Sequence, residues 1–103
     1  MADRLGKPLA VDDGDIDQAA RSLKALSHPI RLKILCLLGE DALSVQQLVD
    51  SIGTSQSNIS QHLAILRGKG LLTTRKQANR VMYQIGDKRM VQLVLMMRDV
   101  FCT

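Results

Sequence analysis

A chain of 103 residues is long enough for one domain with a modest core and too short for two, so a lone monomer would be marginal. Hydrophobic residues make up 46% but aromatic residues only 2%, so the core must be aliphatic, assembled from Leu, Ile, Val, Ala and Met, a composition that favours packed helices. The net charge of +4 is uneven: residues 1–17 hold five acids and two bases, whereas from Gln18 onward twelve Lys/Arg face five Asp/Glu, which suits a nucleic acid or an acidic membrane surface. Apolar runs as long as Leu93 to Met97 are far below the ~20 residues that span a bilayer, and the N-terminus carries no hydrophobic signal segment. A soluble, cytoplasmic protein without a membrane partner is expected. Cys36 and Cys102 stand far apart with no C-x-x-C, which gives neither a zinc ribbon nor a disulfide framework, so both are expected as reduced thiols.

Residues 1–14, with Gly6, Pro8, Gly14 and scattered charges, show no period and are expected to form a flexible tail ahead of a single domain over residues 15–103. Asp15 and Gln18 resemble a capping pair, after which Ile16, Ala19, Ala20, Leu23 and Leu26 trace a helical stripe to about Ser27. Ser27-His28-Pro29 restarts the chain, because proline at a first helical position gives up only a donor that has no intrahelical partner. Ile30 to Leu38 is apolar on nearly every side, with Ile30, Ile34 and Leu37 in one stripe and Cys36 beside Leu32. Such a helix is buried centrally, and Gly39 ends it.

The next start is specified twice: Ser44 and Gln47 fit a capping box, and Leu43 and Leu48 fit a hydrophobic staple, so a short helix runs over Val45 to Ile52. After Gly53, Thr54 or Ser55 can cap a further helix on which Ile59, Leu63 and Leu66 recur at i, i+4 and i+7. Opposite that stripe lie Ser57, Ser60, Gln61 and Ala64 instead of the Glu/Lys pairs of a solvated helix. Short hydroxyls allow close approach to phosphates, Gln and Asn can bond adenine in two places, and a small apolar group can meet a thymine methyl. A polar surface helix that merely lacks charge is the competing reading. The two helices around the Gly53 turn favour a helix-turn-helix instead.

Gly68-Lys69-Gly70 closes this helix, and Leu71 to Lys76 and Val81 to Ile85 then alternate as the strands of a β-hairpin. Val81, Tyr83 and Ile85 would share one face, Arg75, Lys76 and Arg80 would cluster at the tip, and Asn79 is the turn residue best able to take a positive φ. A basic tip beside a helix-turn-helix suits a phosphate-contacting wing; an ordinary solvated turn whose charges discourage edge pairing is the alternative. Candidate DNA contacts are therefore Ser55, Gln56, Ser57, Asn58, Ser60, Gln61, His62 and Arg67 on the helix and Arg75, Lys76, Asn79 and Arg80 on the wing. His28 and His62 are isolated, and each reads as a capping, packing or phosphate-contacting residue before a metal ligand. From Asp87, a plausible N-cap, a last helix runs toward Phe101 with Met90, Leu93, Val94, Met97, Val100 and Phe101 on its core face. Val91, Leu95 and Cys102 form a second apolar line, a surplus that a homodimer would bury. The methionines of this helix read as core or interface filler before a metal box.

With these elements in hand, residues 16–102 resemble the ArsR/SmtB family of dimeric winged-helix bacterial repressors. The resemblance lies in Leu23-Lys24-Ala25-Leu26-Ser27-His28-Pro29-Ile30-Arg31-Leu32-Lys33-Ile34-Leu35, in Ser55-Gln56-Ser57-Asn58-Ile59-Ser60-Gln61-His62-Leu63 with Leu66-Arg67, and in Gly70-Leu71-Leu72. It implies a mainly α fold of five helices with a two-stranded wing between the fourth and fifth. It also implies dimerisation through the first and last helices, with Leu23, Val91 and Leu95 at the interface, an inverted-repeat operator of double-stranded DNA, and release by an inducer. Many members sense metals through thiolates on the helix here written Val45-Gln46-Gln47-Leu48, or through Asp, His and Glu on the last helix. Val45 and Gln47 cannot ligate as thiolates do and the last helix has no His, so no metal site of either kind and no cofactor is expected.

Cys36 and Cys102 instead resemble the dithiol pair of the SqrR/BigR/HlyU branch of the family. That resemblance implies a redox switch in which a persulfide or oxidant links the two directly or through added sulfur. Left open are a small buried hydrophobe at Cys36 with an unremarkable thiol at Cys102, a soft-metal or arsenite site made of the same two residues, and a protein-interaction module whose basic surface meets an acidic partner. An enzyme is not expected: neither cysteine lies in a pattern with a local base, and there is no phosphate loop.

Overall fold

In a computed structural model, which describes residues 11–102, five helices and three short strands follow one another as α1 (Asp13–Leu26), α2 (Pro29–Leu38), β1 (Leu43–Ser44), α3 (Val45–Ile52), α4 (Gln56–Gly68), β2 (Leu72–Gln77), β3 (Arg80–Ile85) and α5 (Lys88–Phe101). This is the expected winged helix-turn-helix with one added strand. The helix starts show how local chemistry sets the order. His28 caps α2 through a ring nitrogen that accepts the Ile30 N–H at 3.1 Å, with Pro29 at the first position. At α3 the capping box closes in both directions: Ser44 Oγ accepts the Gln47 N–H at 3.2 Å, and Gln47 Oε1 accepts the Ser44 N–H at 2.9 Å. Gly53 ends α3 at φ 84°, a left-handed conformation that costs glycine little.

The start of α1 departs from expectation. Asp12 is its N-cap and the helix begins at Asp13, so Asp15 sits inside the first turn, where its carboxylate meets the positive end of the helix dipole. Most of the expected flexible tail, residues 1–10, lies outside the described residues. Only Ala25 and Leu26 of α1 are buried, and the helix packs chiefly on α2. The molecule is correspondingly extended, 52 × 31 × 22 Å, with a radius of gyration of 15.6 Å, against about 13 Å for a compact chain of this length.

The core is a single aliphatic cluster. Ile34, Leu35 and Leu38 of α2, Leu48 of α3, and Ile59, Leu63 and Leu66 of α4 have no accessible surface. Each such side chain contributes about 1.5–3 kcal/mol relative to an exposed one. Leu37, expected on the buried stripe of α2, faces outward instead, because α2 turns the adjacent pair Ile34 and Leu35, with Leu38, into the layer formed by α3 and α4.

The sheet runs in the order β1-β3-β2, all antiparallel. Strand β1, which pairs Leu43 with Tyr83 and Ser44 with Met82, was not legible, since two residues hold no alternation and the same residues serve as the start of α3. In β3 the buried residues are Met82 and Ile85, while Val81, expected on one face with Tyr83 and Ile85, is exposed. The outer half of the hairpin projects beyond the helices, where neither face is covered. At its base, a Cβ on Gly86 would lie 2.9 Å from Thr73 Cγ2, so the strands close there only around glycine.

At the tip, Gln77 pairs with Arg80 around a two-residue turn, and Ala78, not Asn79, takes the positive φ, 57°. Position decides this over residue preference: a positive φ at the first central residue alone is the II′ pattern, which suits the twist of a hairpin. An L-residue pays for that conformation where glycine does not. Ala78→Gly should therefore stabilise the fold by about 0.5–1 kcal/mol after the entropy of the freer unfolded chain is subtracted, raising Tm by roughly 2–6 °C. Thermal unfolding followed by circular dichroism checks this; an unchanged or lower Tm would show that Ala78 is unstrained.

Candidate nucleic-acid interface and thiol pair

From Ser51 to Gly86 the sequence contains no acid, while Arg67, Lys69, Arg75, Lys76 and Arg80 all fall in that stretch. The stretch comprises the turn between α3 and α4, all of α4, and the whole wing. Helix α4 starts at Ser55, whose Oγ accepts the Asn58 N–H at 3.0 Å, and the Asn58 side-chain amide donates to Thr54 Oγ1 at 3.0 Å. These two bonds hold the turn and set the angle at which α4 leaves it. They also occupy groups expected to contact DNA: the Asn58 amide spends a donor inside the turn, and Ser55 serves as the cap.

The other candidates divide by exposure. Gln56, Ser57, Ser60, Gln61 and Arg67 are exposed along α4 together with Ala64, and Arg75, Lys76, Asn79 and Arg80 are exposed on the wing. His62 is not among them. It is 9% exposed, because it stands at i+3 from Ile59 and so falls on the buried stripe with Leu63 and Leu66. Its ring lies against that of His28, with centroids 4.4 Å apart. Burial, followed by the nearby charges of His28 and Arg31, holds its pKa below the ordinary value for histidine.

A shallow groove of about 410 Å³ joins α4 to the wing, lined by Ser60, Ala64, Arg67, Gly68 and Tyr83. Tyr83 is half-buried there and was not singled out from the sequence, where its alternation with Val81 and Ile85 reads as core. Only its place as the single tyrosine in an acid-free basic stretch could have drawn attention to it.

Among the described residues, helix α5 carries the largest share of the exposed apolar side chains. Helix α5 starts at Asp87, whose Oδ1 accepts the Arg89 N–H at 2.8 Å; the Arg89 guanidinium, 2.7 Å from Oδ2, holds the Asp87 carboxyl down to about 2. Val91 is only 7% exposed and Leu95 is half-buried, both turned toward the chain's own core, so neither belongs to the surplus apolar strip. That strip is instead Leu93, Met96, Val100 and Phe101, with Phe101 79% exposed. The exchange follows from how α5 docks: it lays the arc of Val91, Val94 and Leu95 against α2 and β3, which leaves the opposite arc of Leu93, Met96 and Val100 in the open. Leu23 of α1 is 55% exposed and lines an apolar crevice with Leu93 and Met97 of α5.

The inward arc of α5 continues past Leu95 to Arg98 and Cys102, since residues three and four apart share a helix face. Both cysteines are free thiols; Cys36 is half-buried on α2 and Cys102 is exposed at the end of α5. Burial raises the pKa of Cys36 most, a Cys102 thiolate raises it further, and Arg98 opposes both. Among the described residues no group of three or more His, Cys, Asp or Glu side chains converges on one point, and no helix is long and apolar enough to cross a membrane.

Residues 28–74, from the cap of α2 to the first half of β2, match the family described as bacterial regulatory protein, arsR family. The biofilm growth-associated repressor of Xylella fastidiosa strain Temecula1 is 38% identical over 87 residues, 84% of this chain and 76% of that protein. The HTH-type transcriptional regulator YgaV of Escherichia coli K12 is 39% identical over 95 residues, 91% of this chain and 96% of that protein. Among solved structures, HlyU from Vibrio cholerae N16961 superposes with a TM-score of 0.84 at 36% identity, covering 89% of this chain and 100% of its own. By fold, by the matched helix-turn-helix and by likeness along most of its length to transcriptional regulators, the chain belongs to the arsR family of bacterial regulatory proteins.

Proposed function

We propose that this protein is a homodimeric repressor that binds an inverted-repeat operator in double-stranded DNA and is released by thiol modification at Cys36 and Cys102. The observation that carries the DNA reading is the acid-free surface of α4 and the wing, on which exposed amides and hydroxyls lie between basic residues. Arg67, Arg75, Lys76 and Arg80 supply charge to phosphates, which sets affinity and its salt dependence, while Ser57, Ser60, Gln61 and Ala64 meet base edges in the major groove. The exposed arc Leu93, Met96, Val100 and Phe101, with Leu23, supports dimerisation through α5 and α1. Two copies then present their α4 helices ~34 Å apart, the spacing of successive major grooves on one side of the duplex.

For the switch, the exposed Cys102 thiolate attacks the sulfane sulfur of a persulfide donor, forming a Cys102 persulfide and releasing the donor's thiol. Cys36 then attacks the Cys102 sulfur, giving a disulfide and expelling hydrogen sulfide; a second persulfide at Cys36 gives a longer bridge by the same exchange. Burial raises the pKa of Cys36, so the exposed Cys102 is the first of the two to react with the donor. The bridge ties the end of α5 to the middle of α2. Since α5 also builds the dimer, the oxidised and reduced forms need differ only modestly in operator affinity for regulation to follow.

Fluorescence anisotropy with a duplex selected by the protein from a random library tests the DNA reading. Arg80→Ala should weaken binding to all sequences about equally and lower the slope of log affinity against log salt by about one unit. A loss confined to one base pair would remove Arg80 from the phosphates. Gln61→Ala should instead relax preference at particular base pairs, at ~1–3 kcal/mol each, and an unchanged sequence logo would exclude it from base readout.

For the switch, a persulfide donor should lower the operator affinity of the parent. Cys36→Ser and Cys102→Ser should each bind DNA normally and ignore the donor, and mass spectrometry should find the two cysteines in one linked peptide pair. Release of a double-serine variant by the donor would place the sensor elsewhere, and release by soft metal ions alone would make the pair a metal site.

A further inference from the structure

The two histidines of the chain, 34 positions apart in sequence, meet in the structure. His28 stands at the start of α2 and His62 in the middle of α4, their ring centroids 4.4 Å apart and the rings inclined at 46°. The His28 ring nitrogen Nδ1 accepts the Ile30 N–H, so it carries no proton there. His62 is buried on the core face of α4, and its Nδ1 has no hydrogen-bond partner; neither does the buried Nε of Arg31, one turn along α2 from His28. We propose that the His28–His62 contact is a proton-sensitive joint that positions the recognition helix against α2, and that adding a proton there lowers operator affinity.

Geometry gives the sign. A proton on His28 Nδ1 removes the acceptor that caps α2 and sets a positive charge at the positive end of that helix dipole. A proton on His62 puts a charge without an anionic partner between an imidazole and a guanidinium. The groups facing His62 offer no relief. From α2 they are His28 and Arg31; Asp50, the only ionisable residue of α3, is exposed and accepts from Gln46 Nε2 at 2.8 Å; Arg75 and Lys76 of β2 and Arg67 of α4 itself are exposed and of the same sign. The folded protein accordingly holds His62 below its ordinary pKa. The unfolded or loosened state binds the proton more tightly, so the stability of the joint is full above about pH 6.5, the ordinary histidine value, and falls as pH drops through it. A recognition helix must be held to about 0.5 Å to read bases, so a loosened joint is felt at the DNA face. Protonated histidines near DNA ordinarily tighten binding through phosphates, so the expected direction is the opposite of the generic one.

The inference rests on the DNA-binding reading above, and the experiment separates the two. With both cysteines kept reduced, anisotropy on the selected duplex is measured from about pH 7.5 to about pH 5.5, a window that spans the ordinary pKa of histidine and of no other side chain. The parent should lose affinity severalfold across this window, because the form that binds DNA holds the proton less tightly than the loosened one. His62→Gln should remove most of the loss, leaving what a proton on His28 contributes. His28→Asn keeps a capping acceptor without an imidazole, so it should make the loss shallower, and its His62 ring, followed by NMR, should titrate at a higher pH than in the parent. Unchanged or tighter binding at low pH in the parent overturns the joint, as does an equal loss in His62→Gln. If no duplex is bound at any pH, the repressor reading fails. The ring titration then decides the joint alone: a His62 that titrates at or above the ordinary histidine value in the parent overturns it, and one that titrates lower and moves up in His28→Asn supports it.

Discussion

The structure depends on one packing surface, the seam where Ile34, Leu35 and Leu38 of α2 meet Ile59, Leu63 and Leu66 of α4. With a single Phe, a single Tyr and no Trp, the chain has no large ring to fill gaps, so its core consists of branched and unbranched aliphatic chains that must interdigitate closely. Everything functional hangs from that seam. Helix α4 presents its polar face outward because its opposite face is committed here, and α2 holds Cys36 at a fixed distance from the recognition helix for the same reason. A rigid seam makes a coupled device feasible, since a packed interface passes on displacement where a loose one would absorb it.

Helix boundaries were the most legible part of the sequence, because they are written in residues with local chemistry. Ser44 and Gln47 close the box their types and spacing announce, Pro29 begins α2, and Asp87 caps α5. What the sequence concealed was direction. On α5, where apolar residues occupy most positions, periodicity cannot say which arc faces inward, and the docking against α2 and β3 reversed the roles of Val91 and Leu95 with respect to Leu93 and Val100. His62 is the same case in miniature: a polar residue inside a polar-looking run whose place on the helix puts it among Ile59, Leu63 and Leu66. Strand β1 escaped notice because its two residues owe their pairing to the approach of β3, a contact between positions far apart in the chain.

Helix α5 carries two apolar arcs, and its residue sequence separates them. The arc of Val91, Val94 and Leu95 serves the subunit and, continued by Arg98 and Cys102, reaches the neighbourhood of Cys36. The arc of Leu93, Met96 and Val100 faces outward. An event at the thiols therefore acts on the same rod that carries the outward face, with no loop between them to disperse it. The acid-free stretch ends at Gly86, just before this helix begins, so the basic surface and the exposed apolar arc belong to separate blocks of the chain.

The single tyrosine has an optical consequence. Tyr83 lies in the groove between α4 and the wing, and the chain has no tryptophan to dominate its emission. The ultraviolet fluorescence of the protein therefore originates at one point, on the surface where the recognition helix and the hairpin face one another. Changes elsewhere, in the aliphatic core or along α1, reach that signal only by moving the groove. If the proposed DNA-binding surface is right, the molecule carries its own reporter beside the bound duplex, and stopped-flow measurements can follow docking without an added label.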